Sequence, residues 1–271
     1  GFNKYIQEIK SGNHTGRHMS CRNSEWLQPL VIDDLWRRYH RLALLASSAF
    51  LAEGIAQAQP PTAAARAPSK PSAKMLAKLN PDEIRRKLPT TAELKIGSNM
   101  WGIGADKTAS GAPLLFVNPH FPWAGTERLY MMHLTIPNEF NIMGSALYAL
   151  PAVLIGMNEK FAWSHTVSGA YRFSAYELRM VDATRYQYDG GVRELTPYPL
   201  TIQVKQADGS LANQTRTLYM SHYGPMVGLK VSGQNIFPWT ANSAWTIRDA
   251  NRENSRLINQ FFKWDRAANF N

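Results

Sequence analysis

The feature that most constrains this chain is a change of apolar period near residue 98. Before residue 58 the apolar positions recur at helical spacing; after residue 98 they fall in short runs bounded by Gly, Ser and Pro. Phe2, Tyr5, Ile6 and Ile9 form one stripe. A polar loop follows, and a helix over 32–59 opens with Asp33 and Asp34, acids suited to a helix N-terminus. Leu35, Tyr39, Leu42 and Leu45 give it a core-facing stripe. The strand runs are 99–103, 114–117, 130–136, 152–156, 161–167 and 176–181. Asp189-Gly190-Gly191 and Asp208-Gly209 read as hairpin turns, the second joining 201–206 to 215–220. The alternation in Thr201–Lys205 fits an antiparallel strand with one wet face. A further strand over 244–249 precedes a helix around 252–263. No internal repeat is present, and the fold class expected is α+β with a large antiparallel component.

Between these halves, residues 59–97 read as a linker rich in Pro and Ala (Pro60, Pro61, Pro68, Pro71), with short helices possible near 73–79 and 82–88. The chain carries 30 Lys+Arg against 20 Asp+Glu, a formal net charge of +10. Residues 66–95 hold eight of the basic residues against Asp82, Glu83 and Glu93. A basic excess fits nucleic acid or an anionic surface. There is no zinc-finger spacing, RNP-like motif or compact basic helix, so a solvated linker is the preferred reading and no nucleic acid is expected. The 30 aromatic residues argue against a disordered polymer. The best apolar stretch, 42–58, is interrupted by Glu53, Gln57 and serines, so no membrane span is expected. Cys21 is the one cysteine, which rules out a disulfide framework within the chain. The chain opens on Gly1 with no signal-peptide pattern, and the expectation is a fragment or processed product.

Three short motifs carry chemistry when taken together: Ile96-Gly97-Ser98-Asn99-Met100-Trp101, Asn118-Pro119-His120-Phe121-Pro122-Trp123 and Ala162-Trp163-Ser164-His165-Thr166-Val167. On these motifs the chain resembles the penicillin acylase family of N-terminal nucleophile (Ntn) hydrolases, nearest its acyl-homoserine-lactone acylase branch. The resemblance implies part of an αββα sandwich of antiparallel sheets, preceded by helices of an α subunit. It divides the chain into the α-subunit end (1–58), an excised spacer (59–97) and the start of a β subunit (98–271). Such a protein is a heterodimer after processing, its partners being the rest of its own α and β subunits and a small N-acyl amide substrate.

The chemistry expected of these residues follows. A serine hydroxyl needs a base, and the α-amine of Ser98, with an ordinary pKa near 8, can serve once the Gly97–Ser98 peptide is cut. Self-cleavage has Ser98 Oγ attack the Gly97 carbonyl, with Gly97 expected to permit a strained backbone. By the resemblance, the Val167 backbone N–H is one oxyanion donor and the His120 backbone positions the new amine. The family's second donor, an Asn side chain, lies later than Asn271, so neither Asn269 nor Asn271 is assigned, and the fragment alone is expected to be inactive. Phe121, Leu147, Leu150 and Val153 match stretches forming acyl-pocket walls. His165 is assigned to packing or hydrogen bonding, His133 to a strand, and His222 to a turn. No metal or other cofactor is expected: Ser168–Phe173 lacks the carboxylates with which the family's calcium-binding members hold the ion. The resemblance implies acyl-homoserine lactones as substrates, with β-lactam side-chain amides as the alternative. It also implies export to the periplasm or beyond, and a possible pairing of Cys21 with an upstream cysteine.

Overall fold

A computed structural model of the chain describes residues 1–14, 16, 18–45, 47–62, 97–168, 170, 172–231 and 234–269. The short helices expected within 73–88 lie outside the described residues.

Helix α1 (Phe2–Ser11) buries Ile9 and ends at Gly12, whose left-handed φ of 86° lets its N–H reach the Ile9 carbonyl. Cys21 is a free thiol near the His18 carbonyl (3.5 Å). Helix α2 (Ile32–Leu45) starts where Asp34 accepts from the Val31 N–H at 3.0 Å. The continuous helix expected over 32–59 is not formed. After α2 come a 3-10 turn (Ser48–Leu51) and a short helix α3 (Ala52–Gln57). The cause is tertiary: the buried Asp249 carboxylate accepts from both the backbone N–H and the hydroxyl of Ser48, diverting a donor that a continuous helix would use.

The strand-rich part opens with the hairpin of β1 (Gly97–Ile103) and β2 (Leu114–His120). Next comes a four-stranded antiparallel sheet in the order β3 (Leu129–Ile136), β4 (Phe140–Leu147), β5 (Ile155–Asn158) and β6 (Ala162–Trp163). Gly144 of β4 faces Gly156 of β5; a β-carbon on Gly144 would collide with the Ile155 carbonyl, so this pair sets how closely the strands approach. Two expected strands are displaced. The 152–156 strand begins at Ile155, because Val153 donates its N–H to Asp265 instead of to a neighbouring strand. The 161–167 strand stops at Trp163, beyond which the chain leaves the sheet and packs His165 against Phe261 and Trp264.

Strand β7 (Phe173–Arg179) precedes the hairpin of β8 (Arg185–Tyr188) and β9 (Gly191–Glu194). Asp189 (φ 49°) and Gly190 (φ 74°) form its two-residue turn with both φ positive, as a twisted ribbon requires. The hairpin of β10 (Thr196–Lys205) and β11 (Leu211–Met220) turns at Asp208-Gly209 as expected. Its alternation is correct, but the expected dry face is not covered: Tyr198, Leu200 and Ile202 are all more than half exposed. The small pair β12 (Lys230–Val231) and β13 (Gln234–Asn235) leads to β14 (Ser243–Asp249), which pairs with β7. Around this pair lies a core that includes Leu51, Val227, Phe237 and Ile247, with Tyr186, Leu178 and Met226 alongside. The last helix, α4 (Leu257–Arg266), sits a few residues later than the helix expected at 252–263.

The helical part is tied to the sheets by a nearly buried cation. Arg38 of α2 donates to the carbonyls of Tyr148 (3.1 Å) and Thr126 (2.7 Å) and to the Glu127 carboxylate (3.2 Å). Burial pushes the Glu127 carboxyl up, but the hydrogen bonds and charge of Arg38, with Arg41 and Thr126, outweigh it and hold it below the usual range.

Candidate active site

Ser98 lies one residue inside β1, opposite Pro119. Its hydroxyl donates to the carbonyl oxygen of Gly97, which places it beside the preceding peptide. Gly97 opens the extended strand β1. What it supplies is room. A β-carbon at position 97 would fall 2.9 Å from Nδ1 of His120, the residue directly across the hairpin.

Ser98 borders a half-open cavity of about 420 Å³ lined by residues of the sheet, α2 and α4. Three of the residues expected in an acyl pocket, Phe121, Leu147 and Leu150, line it. Val153 does not: it is fully buried behind the wall, packed with Ile142 and Trp163, while the next residues Leu154 and Ile155 face the cavity. The reason is the Val153–Asp265 hydrogen bond (3.3 Å), which turns that segment before β5 begins. Sequence reasoning missed the helical wall, made by Leu42 of α2 and by Ile258, Phe261 and Trp264 of α4. The apolar stripes of both helices were legible, but not which surface they cover.

Val167 also lines the cavity, in irregular chain beyond β6. His165 is packed among Phe261 (5.4 Å between centroids) and Trp264 (5.9 Å), consistent with a packing role. Burial holds its imidazole below the usual range, partly offset by the Leu154 carbonyl. Behind the wall, burial raises the Asp265 carboxyl to about 6, against a smaller lowering by the Val153 N–H and the Arg266 charge. His133 lies in β3 beside Asn141, and His222 in the turn after β11, hydrogen-bonded to Tyr186. Among the described residues no three His, Cys, Asp or Glu side chains gather as a metal site would need. The arrangement therefore brings together a serine hydroxyl, the peptide that precedes it and a largely apolar cavity wall.

The family model described as penicillin amidase matches residues 1–271. The chain belongs to that family. As a penicillin amidase family member it is similar along nearly its whole length to the acyl-homoserine lactone acylase PvdQ of Pseudomonas putida, at 36% identity over 269 residues. That match covers 98% of this chain and 33% of the relative. Aculeacin-A acylase of Actinoplanes utahensis is 36% identical over 271 residues, covering 98% and 32% respectively. The chain thus spans about a third of the length of these relatives. Among solved structures, a thermostable penicillin G acylase from Alcaligenes faecalis shares the fold with a TM-score of 0.51 at 20% identity, over 63% of this chain and 29% of that one. The α+β class and its relation to the Ntn-hydrolase fold are therefore established for this family member, with helices and antiparallel sheets as described.

Proposed function

We propose that the full-length protein carrying this chain is a self-processed amidohydrolase that removes the acyl group from N-acyl substrates. The carrying observation is that Ser98 donates to the Gly97 carbonyl at the edge of an apolar cavity. In processing, the Ser98 Oγ–carbonyl bond forms, the Gly97–Ser98 C–N bond breaks, and the hydroxyl proton passes to the freed amine. Water then opens the ester, leaving a Gly97 carboxylate and a Ser98 that is both nucleophile and, through its amine, base. In turnover Ser98 takes the acyl group and releases the amine, and water hydrolyses the acyl-enzyme. The Val167 N–H donates to the developing oxyanion, and the His120 backbone steadies the amine. Oxyanion donors are worth roughly 3–4 kcal/mol each.

Under this reading residues 1–58 end an α subunit, 59–97 form the spacer and 98–271 begin the β subunit, the subunits staying together as a heterodimer. The Arg38–Glu127 contact across that division supports such an association after cleavage. Two features support acyl-homoserine lactones as substrates: the cavity wall is mostly aliphatic and aromatic, and several relatives are named as acylases of these lactones. Mass spectrometry of the expressed full-length protein should find a new N-terminus at Ser98, lost in Ser98→Ala. Chromatography of its products from a long-chain acyl-homoserine lactone should find a fatty acid and intact homoserine lactone. Ring-opened acyl-homoserine as the sole product would reject the amidase reading.

A further inference from the structure

Antiparallel partners that face each other across a ribbon point their side chains to the same side, and successive residues alternate. In the β1–β2 hairpin Gly97 faces His120, and Ser98 faces Pro119. The His120 imidazole therefore stands on the Gly97 side, the face opposite the Ser98 side chain. It is exposed, whereas Ser98 is half-buried at the cavity. The ring takes the place a β-carbon on Gly97 would need, its Nδ1 being 2.9 Å from that position. Its other nitrogen is held: Asn118 Nδ2 donates to His120 Nε2 at 3.0 Å, two residues back on the same face of β2. With Nε2 as acceptor, the neutral ring carries its proton on Nδ1, turned toward Gly97.

We propose that Asn118 is a positioning residue for self-processing: it locks the His120 imidazole against Gly97, so that the ring backs the scissile peptide from the side opposite Ser98 Oγ. The inference rests on the processing reading above and deepens it. It gives the imidazole a role that is not proton removal from Ser98, since the two side chains lie on opposite faces. It also accounts for the glycine at 97: a β-carbon there meets the ring and displaces it. The covalent step is unchanged, with Oγ–carbonyl bond formation, C–N cleavage and proton transfer to the amine as written above.

The test follows cleavage at Gly97–Ser98 over time in the full-length protein, by gel and intact mass. Asn118→Leu, which leaves the ring unheld, should slow cleavage about fivefold or more, the worth of an ordinary hydrogen bond. In Asn118→Asp a carboxylate can hold the ring only through a proton on Nε2. This variant should regain part of the rate lost in Asn118→Leu, and its pH profile should differ from that of the unaltered protein. A partial recovery in Asn118→Asp would not come from a merely structural defect. Gly97→Ala should slow cleavage about tenfold or more, because its β-carbon pushes the ring away from the scissile peptide. Cleavage of Asn118→Leu at the unaltered rate, or of Asn118→Asp no faster than Asn118→Leu, overturns the inference while leaving the processing reading intact. An unaltered protein that is never cut at Gly97–Ser98 overturns both.

Discussion

Asp265 offers a quantitative test of how the cavity wall is held. Its carboxylate accepts from the Val153 N–H at 3.3 Å, its other oxygen is buried without a partner, and the side chain is nearly excluded from solvent. Burial moves its titration from the ordinary 3.8 to about 6. The unfolded chain therefore releases this proton at lower pH than the folded one. Between about pH 4 and pH 6 the folded state binds more protons, so stability falls as pH rises through that window and levels off above it. At ~1.4 kcal/mol per pH unit the displacement corresponds to a penalty of about 3 kcal/mol at pH 7, to order of magnitude. Asn at this position keeps an acceptor for Val153 and carries no charge, but buries an unpartnered amide N–H that costs about 1 kcal/mol or more. Asp265→Asn should therefore be about 1–2 kcal/mol more stable than the unaltered protein at pH 7.5, and no more stable at pH 4. Thermal melts of both full-length proteins across that range measure the difference. Parallel curves, or a variant destabilised equally at every pH, would refute the buried-carboxylate argument.

Two other changes test the frame around the cavity. Arg38→Met strips the nearly buried Glu127 of its main partner and frees two carbonyls, which should cost roughly 2–4 kcal/mol. A second change, Glu127→Gln, should return part of that in a melting experiment. Leu147→Trp fills part of the cavity and should shift the preference toward shorter acyl chains. Each methylene excluded should cost about 0.8 kcal/mol, near fourfold in kcat/KM, measured over a series of acyl-homoserine lactones.

Much of the site was readable as chemistry before it was visible as geometry. Ser98 with a preceding glycine, and Asn118-Pro-His120 at its spacing, are local patterns, and the hairpin pairs them across one register. Phe121, Leu147 and Leu150 were placed at a pocket wall, and they line the cavity. Val153 could not be separated from them because an apolar side chain in a wall and one behind it obey the same pattern. One hydrogen bond to Asp265, more than a hundred residues away, decides which it is. Ser48 likewise reads as an ordinary helix residue until Asp249 takes its donors.

Local pattern was enough to read helices first and strands after, the two turns with Gly at their tips, and the serine that follows a glycine at the head of a strand, but not β4 (Phe140–Leu147), which lay outside the expected strand runs. These rest on forces acting within a few residues: apolar period, positive φ, and the alternation of side chains along a ribbon. The tertiary structure settled where α2 stops, that α4 forms a wall of the cavity, and that a β-carbon at 97 would meet the His120 ring. Each of these depends on groups distant in sequence meeting at contact range, and a local pattern carries no record of such a meeting.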